Sequence, residues 1–319
     1  MKNIFNSNKV FFLNPKTCGT YKNGGPRYKV NPDGTRTKEI DNELLEHVEM
    51  FVKGTKPPGF SEISTAKAKT DDVLTPRYYD NRWVAEFDKL KAKEKFAEIT
   101  LKELVDEGIL TISGGHGSPS NDQRIGSVPD VKVSDLRNLR VNINPTNLIP
   151  LPLAEKLWGG KNSGLQAWDL ISPNRASSNI GEFILLLPGE ENIVLTKEVY
   201  ILRITKNIKG WTPFYLLWAL SLKEVRLQWQ RITLMQMNRE DVGNRHLEIK
   251  LPVPVSKAWA EKASKPFKDY FTTLSTAKTA FYQALSGDKY KYIESVYSAV
   301  ELSKEEIVED AEQMEAVGE

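Results

Sequence analysis

The sequence predicts an α+β protein: one domain built on a small twisted sheet with flanking helices, followed by a long C-terminal helix. Three observations predict it. Short strand-like runs separated by Gly, Pro and Asn crowd into residues 109–206. Helical periodicities lie before and after that region, and strands nowhere alternate with helices as a βαβ repeat requires. The chain has 319 residues, 40% apolar and 27% charged, which is an ordinary globular composition with room for one large or two modest domains.

Residues 1–70 form an N-terminal extension. They are turn-rich, with Asn23-Gly24-Gly25-Pro26, Asn31-Pro32-Asp33-Gly34 and Pro57-Pro58-Gly59 between short apolar pieces. The runs around Tyr21 and Tyr28 predict an extended or hairpin segment. Leu44, Leu45, Val48 and Phe51 stand at helical spacing behind Asp41, which is expected to cap the helix. Weak packing is the expectation for this extension.

A helix with few breakers is predicted over residues 84–107, where Phe87, Leu90, Phe96, Ile99, Leu101, Leu104 and Val105 make an apolar stripe and Gly108 ends it. Thr100 followed by Glu103 has the form of a capping box, which would instead start a separate helix at Leu101. Strands are predicted over 109–112 and 131–133, at Ile143, and over 182–187 and 199–204. Thr212-Pro213 opens the next helix, with Tyr215, Leu216, Trp218, Ala219 and Val225 on its apolar side.

The last element begins at Pro266. Phe267, Phe271, Leu274, Ala277, Phe281 and Leu285 recur at three- and four-residue spacing before Gly287. That spacing fits a short coiled-coil seam for dimerisation or docking, and equally an amphipathic helix lying on its own domain. Residues 257–319 thus make a C-terminal helical segment with an acidic tail.

The whole-chain formal charge is +2. Residues 301–319 carry eight acidic residues and one lysine, so the preceding part holds an excess of about nine positive charges. A basic body with an acidic end suits a nucleic-acid ligand. The single cysteine, Cys18, leaves no internal disulfide framework. The longest apolar stretches, 184–188 and 214–220, are far shorter than the roughly 20 residues a spanning helix needs, and no secretory signal opens the chain. A cytoplasmic protein without a membrane partner is expected.

Catalytic patterns are absent from the sequence. Asn14-Pro15-Lys16-Thr17 and Asn144-Pro145-Thr146-Asn147 lack the second Pro and the aromatic ring of an adenine-methyltransferase base-holding loop. Gly114-Gly115-His116-Gly117 is not followed by a helix that would bind a phosphate. His47, His116 and His246 are unclustered, and no paired-carboxylate nuclease pattern occurs. No metal or cofactor is expected.

Three polar segments are the candidate binding residues. The first, 113–126, offers Ser118, Asn121, Gln123 and Arg124 on a Gly/Ser background that permits close backbone approach. The second, 172–181, carries Asn174, Arg175, Ser177, Ser178 and Asn179. The third, 231–241, carries Gln236, Asn238 and Arg239, with Met235 and Met237 suited to a core. Asn and Gln pair bidentately with adenine and Arg with guanine, so these residue types can read base edges; each segment also reads as a solvated surface loop. Trp158, Trp168, Trp211, Trp218 and Trp229 are irregularly spaced and are expected to pack rather than to stack on bases.

The order of the phrases is more specific than any one of them. Asp71-Asp72-Val73-Leu74-Thr75-Pro76-Arg77-Tyr78-Tyr79 is followed by the Gly/Ser loop, then Val128-Pro129-Asp130-Val131-Lys132-Val133-Ser134-Asp135, the Ser/Asn loop, Leu195-Thr196-Lys197-Glu198-Val199-Tyr200-Ile201-Leu202-Arg203-Ile204, and Ile249-Lys250-Leu251-Pro252-Val253-Pro254. This series, over residues 71–256, resembles one target recognition domain of the specificity (S) subunits of type I restriction-modification systems. It departs from the family at Ser172-Pro173-Asn174-Arg175, where the order of residues differs, and in 231–241, which has no glycine until Gly243.

The resemblance implies a sequence-specific DNA-binding subunit without chemistry of its own, serving DNA methylation and host defence. Its partners would be double-stranded DNA, an N6-adenine methyltransferase, in some systems a restriction subunit, and a second copy that supplies the other half-site reader. The segment Cys18-Gly19-Thr20-Tyr21-Lys22-Asn23-Gly24-Gly25-Pro26-Arg27-Tyr28 also resembles the C-terminal tail of N6-adenine DNA methyltransferases. Two other readings stay open: a fragment of an adenine methyltransferase or other enzyme, and a non-catalytic interaction or inhibitor protein docking on a methyltransferase.

Overall fold

The computed structural model describes residues 8–21, 23–120, 125–144, 146–175, 179–236 and 239–285. The chain divides into two compact units, Met1–Lys89 with Gln230–Leu234 and Leu90–Trp229 with Met235–Glu319.

In the first unit, β1 (Lys9–Phe12) pairs antiparallel with β4 (Ser61–Ser64), and β2 (Tyr28–Val30) forms a hairpin with β3 (Arg36–Ile40) rather than with the run around Tyr21, where Thr20 and Pro26 form an isolated bridge. Its turn is set by the Asp33 carboxylate, which accepts from the Thr35 N–H at 2.9 Å, and by Gly34 at φ +85. Helix α1 (Glu43–Val52) follows β3. Asp41 does not cap it: the carboxylate accepts from Thr17 Oγ1 at 3.1 Å and Arg27 Nε at 3.0 Å. The capping group is Thr17, brought from another turn, whose Oγ1 accepts from the Glu43 N–H at 3.0 Å.

Helix α1 buries only His47; Leu45 is 63% and Val52 79% exposed. Three short helices complete this part of the chain: α2 (Thr65–Asp71), α3 (Pro76–Tyr79) and α4 (Arg82–Glu94). Phe12 stacks on Tyr79 at 4.7 Å, and the buried Asp80 takes both Arg82 and Asn14, so the segment is fastened by specific contacts.

The predicted single helix over 84–107 is two helices with a strand between. Lys95 adopts a left-handed backbone, φ +56, which stops α4. The chain then extends as β5 (Glu98–Thr100), whose Ile99 pairs with Leu251 of β17 (Lys250–Pro252). The capping box restarts the helix as α5 (Leu101–Asp106): Thr100 accepts from the Glu103 N–H and the Glu103 carboxylate accepts from the Thr100 N–H at 2.7 Å.

Beyond α5 the strands are β6 (Leu110–Gly114), β7 (Val128–Val131), β8 (Leu136–Arg137), β9 (Arg140–Val141), β10 (Leu148–Ile149), β11 (Leu170–Pro173), β12 (Ile184–Leu185), β13 (Val194–Leu195) and β14 (Val199–Ile204). They form a four-stranded sheet, β12-β11-β14-β6, a three-stranded sheet, β10-β7-β13, and the hairpin β8-β9. A core of Val131, Leu136, Ile171, Ile184, Leu195, Val199 and Ile201 gathers residues from both sheets and the hairpin. Strand β11 is buried at all four positions, Ser172 included, so its sequence, Leu-Ile-Ser-Pro, shows no alternation between a core face and a solvent face.

Several boundaries differ from expectation. The 131–133 strand sits earlier, at Val128–Val131; Ile143 lies outside the strands but packs on the core; and 182–187 is a strand only at Ile184–Leu185. Helix α6 (Leu151–Trp158) went unpredicted because Pro150 and Pro152 mask its periodicity, although proline at a helix start costs no hydrogen bond. Helix α7 (Pro213–Ser221) starts as expected, with Thr212 accepting from the Tyr215 N–H at 3.0 Å. It ends at Leu222, so Val225 belongs to α8 (Lys223–Ile232). Strands β15 (Leu234–Gln236) and β16 (Arg239–Asp241) pair with each other ahead of β17.

Helix α9 (Lys257–Leu285) begins nine residues before Pro266, with the Ser256 hydroxyl accepting from the Trp259 N–H, and runs through the proline. It packs against α7, with Trp259 against Tyr215 and Trp218, and buries Ala260, Ser264 and Phe271. Farther along, Lys278 Nζ meets the buried Glu190 carboxylate at 2.6 Å. The helix therefore lies on its own unit, and Phe271 is 0% exposed. Phe281, at 59%, is not enclosed.

Candidate nucleic-acid interface

Strand β14 organises the site. Its first residues pair with the last residues of both neighbours, Val199 with Pro173 of β11 and Tyr200 with Gly114 of β6. Because both neighbours are antiparallel to β14, the first and second polar segments leave the sheet at the same end. The sheet register, which no local sequence signal encodes, thus brings 115–120 beside 174–175.

The first segment is pinned where it leaves the sheet and where it returns. A Cβ on Gly115 would stand 1.9 Å from the Thr196 carbonyl oxygen, and one on Gly126 2.2 Å from the Ile149 carbonyl carbon, so only glycine permits either approach. His116 Nδ1 accepts from the Leu195 N–H at 3.0 Å, which puts the ring proton on Nε2, 2.8 Å from the Ser163 carbonyl. Burial pushes this imidazole below its ordinary value, the carbonyl bond pulling weakly the other way, so it is neutral. Ser118 is exposed, with its hydroxyl 3.3 Å from Thr196 Oγ1. Asn121, Gln123 and Arg124 lie outside the described residues.

The second segment continues from β11. The Asn174 N–H donates to the Glu198 carbonyl at 3.0 Å, leaving its half-buried side chain beside the start of β14. Arg175 is exposed, and Ser177 and Ser178 lie outside the described residues. Asn179 Nδ2 donates to the Leu136 carbonyl at 3.4 Å, joining this segment to the β8-β9 hairpin. Gly181, at φ +83, has no room for a Cβ, which would meet the Trp229 ring at 2.6 Å.

The third segment is a hairpin rather than a loop. Arg231, in the last turn of α8, sets its guanidinium 4.5 Å over the Tyr78 ring, Gln236 falls in β15, Arg239 in β16, and Asn238 between them lies outside the described residues. The hairpin's exit joins the same sheet end: the Val242 N–H donates to the Asn174 carbonyl at 3.3 Å. The Gly243 carbonyl then accepts from both the Tyr200 hydroxyl and His246 Nδ1, and the Tyr200 and His246 rings lie 4.0 Å apart.

No protein-family model matches the sequence, and no curated protein does. Type I specificity subunits are among the solved structures it resembles. The S subunit of a type I restriction-modification system from M. genitalium aligns at 15% identity and TM-score 0.36, over 64% of this chain and 47% of that one. The HsdS subunit from Thermoanaerobacter tengcongensis aligns at 12% and 0.34, over 61% and 40%. A chain from a structure of complex assembly and conformational transition in a type I system aligns at 14% and 0.36, over 80% and 62%. The chain spans about half the length of these proteins.

Sequence reasoning missed three cations near the site. Lys197 is exposed between β13 and β14, next to Gly117 of the first segment, and Arg137 and Arg140 are exposed on the β8-β9 hairpin. Lys197 sits inside a phrase singled out as a strand, and the arginines follow one, so neither stood out. Trp211 and Trp229 are buried, Trp158 donates to the Ile193 carbonyl, and Trp218 packs on Tyr215 and Trp259. Among the described residues no group of His, Cys, Asp and Glu could hold a metal, and no helix is long and apolar enough to cross a membrane.

Proposed function

We propose that this chain reads DNA sequence as the non-catalytic specificity component of a type I restriction-modification complex, directing a partner N6-adenine methyltransferase to its target. The observation that carries the reading is the convergence of residues 115–120, residues 174–175 and the exit of the β15-β16 hairpin at one end of the β12-β11-β14-β6 sheet. Rigid strands and glycine-limited anchors hold donors and acceptors there, as base-edge readout requires. A second copy would supply the reader of the other half of a two-part target. The restriction subunit of such a system would join the same cytoplasmic complex.

The test is single-molecule sequencing of N6-methyladenine in the host genome with the gene intact and deleted. Loss of one methylated motif on deletion is the expected result. Persistence of every motif sinks the reading. Isothermal titration of S-adenosylmethionine into the chain alone separates it from a methyltransferase fragment, because the specificity reading expects no binding.

A further inference from the structure

The turn between β8 and β9 is built from residues that fit it poorly. Register sets Arg137 opposite Arg140 and leaves Asn138-Leu139 as a two-residue loop, with φ +55 and +62. Such a turn needs left-handed backbone at both central positions, and Asn-Gly supplies it without strain. Here a leucine holds the second position, where a bulky side chain is an outlier. Leu139 is 36% exposed, and the space beside it is open: Asn138 and Leu139 rim a cavity of about 170 Å³ with Gly181, Phe183 and Arg226.

The flanking charges point the same way. Arg137 and Arg140 are both exposed on facing positions of a two-stranded ladder, where like charges repel. Arg137 Nε donates to the Ser134 carbonyl, and among the described residues neither guanidinium meets a carboxylate. The Asn179 bond to the Leu136 carbonyl puts this turn beside the second polar segment.

We propose that the Arg137-Asn138-Leu139-Arg140 turn enters the minor groove of duplex DNA, the two guanidiniums in the groove's negative potential and Leu139 pressed against a base step as an apolar wedge. Arginines in a narrow minor groove and aliphatic side chains that unstack a step are the recurring means by which proteins bend DNA. The inference rests on the DNA-reading function and adds to it an element that deforms the target. A strained apolar apex between two exposed cations is what such an element requires.

The test uses the full chain and an end-labelled duplex, reading affinity across salt concentrations and bend by energy transfer. Arg137→Gln with Arg140→Gln is expected to lower affinity about tenfold and to flatten the log-log salt slope by about two units. Leu139→Gly is expected to keep the salt slope, lose the bend and raise the melting temperature, because glycine relieves the left-handed turn. Variants that match the wild type in affinity, slope and bend overturn the proposal and leave the DNA-reading function standing. A lower melting temperature for Leu139→Gly makes Leu139 a plug over the cavity and overturns the wedge. A wild-type chain that binds no duplex overturns the DNA reading itself.

Discussion

His116 fastens the first polar segment to strand β13 by accepting the Leu195 N–H on Nδ1 at 3.0 Å. The bond requires a neutral ring, and burial keeps the folded imidazole below its ordinary value of 6.5. Below that pH the unfolded chain takes up a proton that the folded one refuses, so the contribution is complete above about pH 6.5 and shrinks as pH falls. His246, also lowered by burial, adds in the same direction. Melting temperatures are expected to drop between about pH 7.5 and 5.5, and the slope to flatten in His116→Asn with His246→Asn. An equal slope in the variant would show that other groups dominate.

Arg203 and Asp169 hold the opposite end of β14. The guanidinium donates Nε and Nη2 to the two carboxylate oxygens at 2.7 and 2.6 Å, and Asp169 is buried. Asp169→Ala leaves a half-buried arginine without its anion, at a cost on the order of 3 kcal/mol. Denaturant unfolding at neutral pH measures it; a change within experimental error would mean that solvent replaces the carboxylate.

The glycine anchors set the first segment's path. Gly126→Ala places a methyl group 2.2 Å from backbone that cannot rotate away, so β10 or the segment must move. A loss of about 1–3 kcal/mol is expected. Gly160→Ala, where a Cβ meets nothing, is the control expected to leave stability unchanged to within about 0.5 kcal/mol.

Phe271 and Phe281, two residues of one predicted seam, separate cleanly. Phe271→Ala is expected to cost about 3–5 kcal/mol of stability, because it empties a fully buried site. Phe281→Ala is expected to leave unfolding unchanged and to weaken self-association in sedimentation. A monomeric wild type at all concentrations rules out the second role.

Arg175, exposed at the shared end of the sheet, tests the interface directly. Arg175→Ala is expected to lower DNA affinity and, if the contact is to phosphate, to flatten the salt slope by about one unit. Unchanged affinity and unchanged target preference would remove it from the interface.

The sequence by itself determined the class of fold, the starts of several elements and the polar segments. These are local properties: the Thr100-Glu103 box and the Thr212-Pro213 start are satisfied by groups three residues apart, and strand β14 declares itself through an apolar run. Two-residue strands such as β12 and the proline-masked α6 carried too little local signal to be bounded. Only the tertiary structure decided what is near what. The pairing of Val199 with Pro173 and Tyr200 with Gly114 gathers segments separated by tens of residues, and the packing of α9 on its own unit buries Phe271 while leaving Phe281 exposed. Periodicity fixes which residues share a face, but the partner of that face depends on long-range register and packing, which no window of sequence contains.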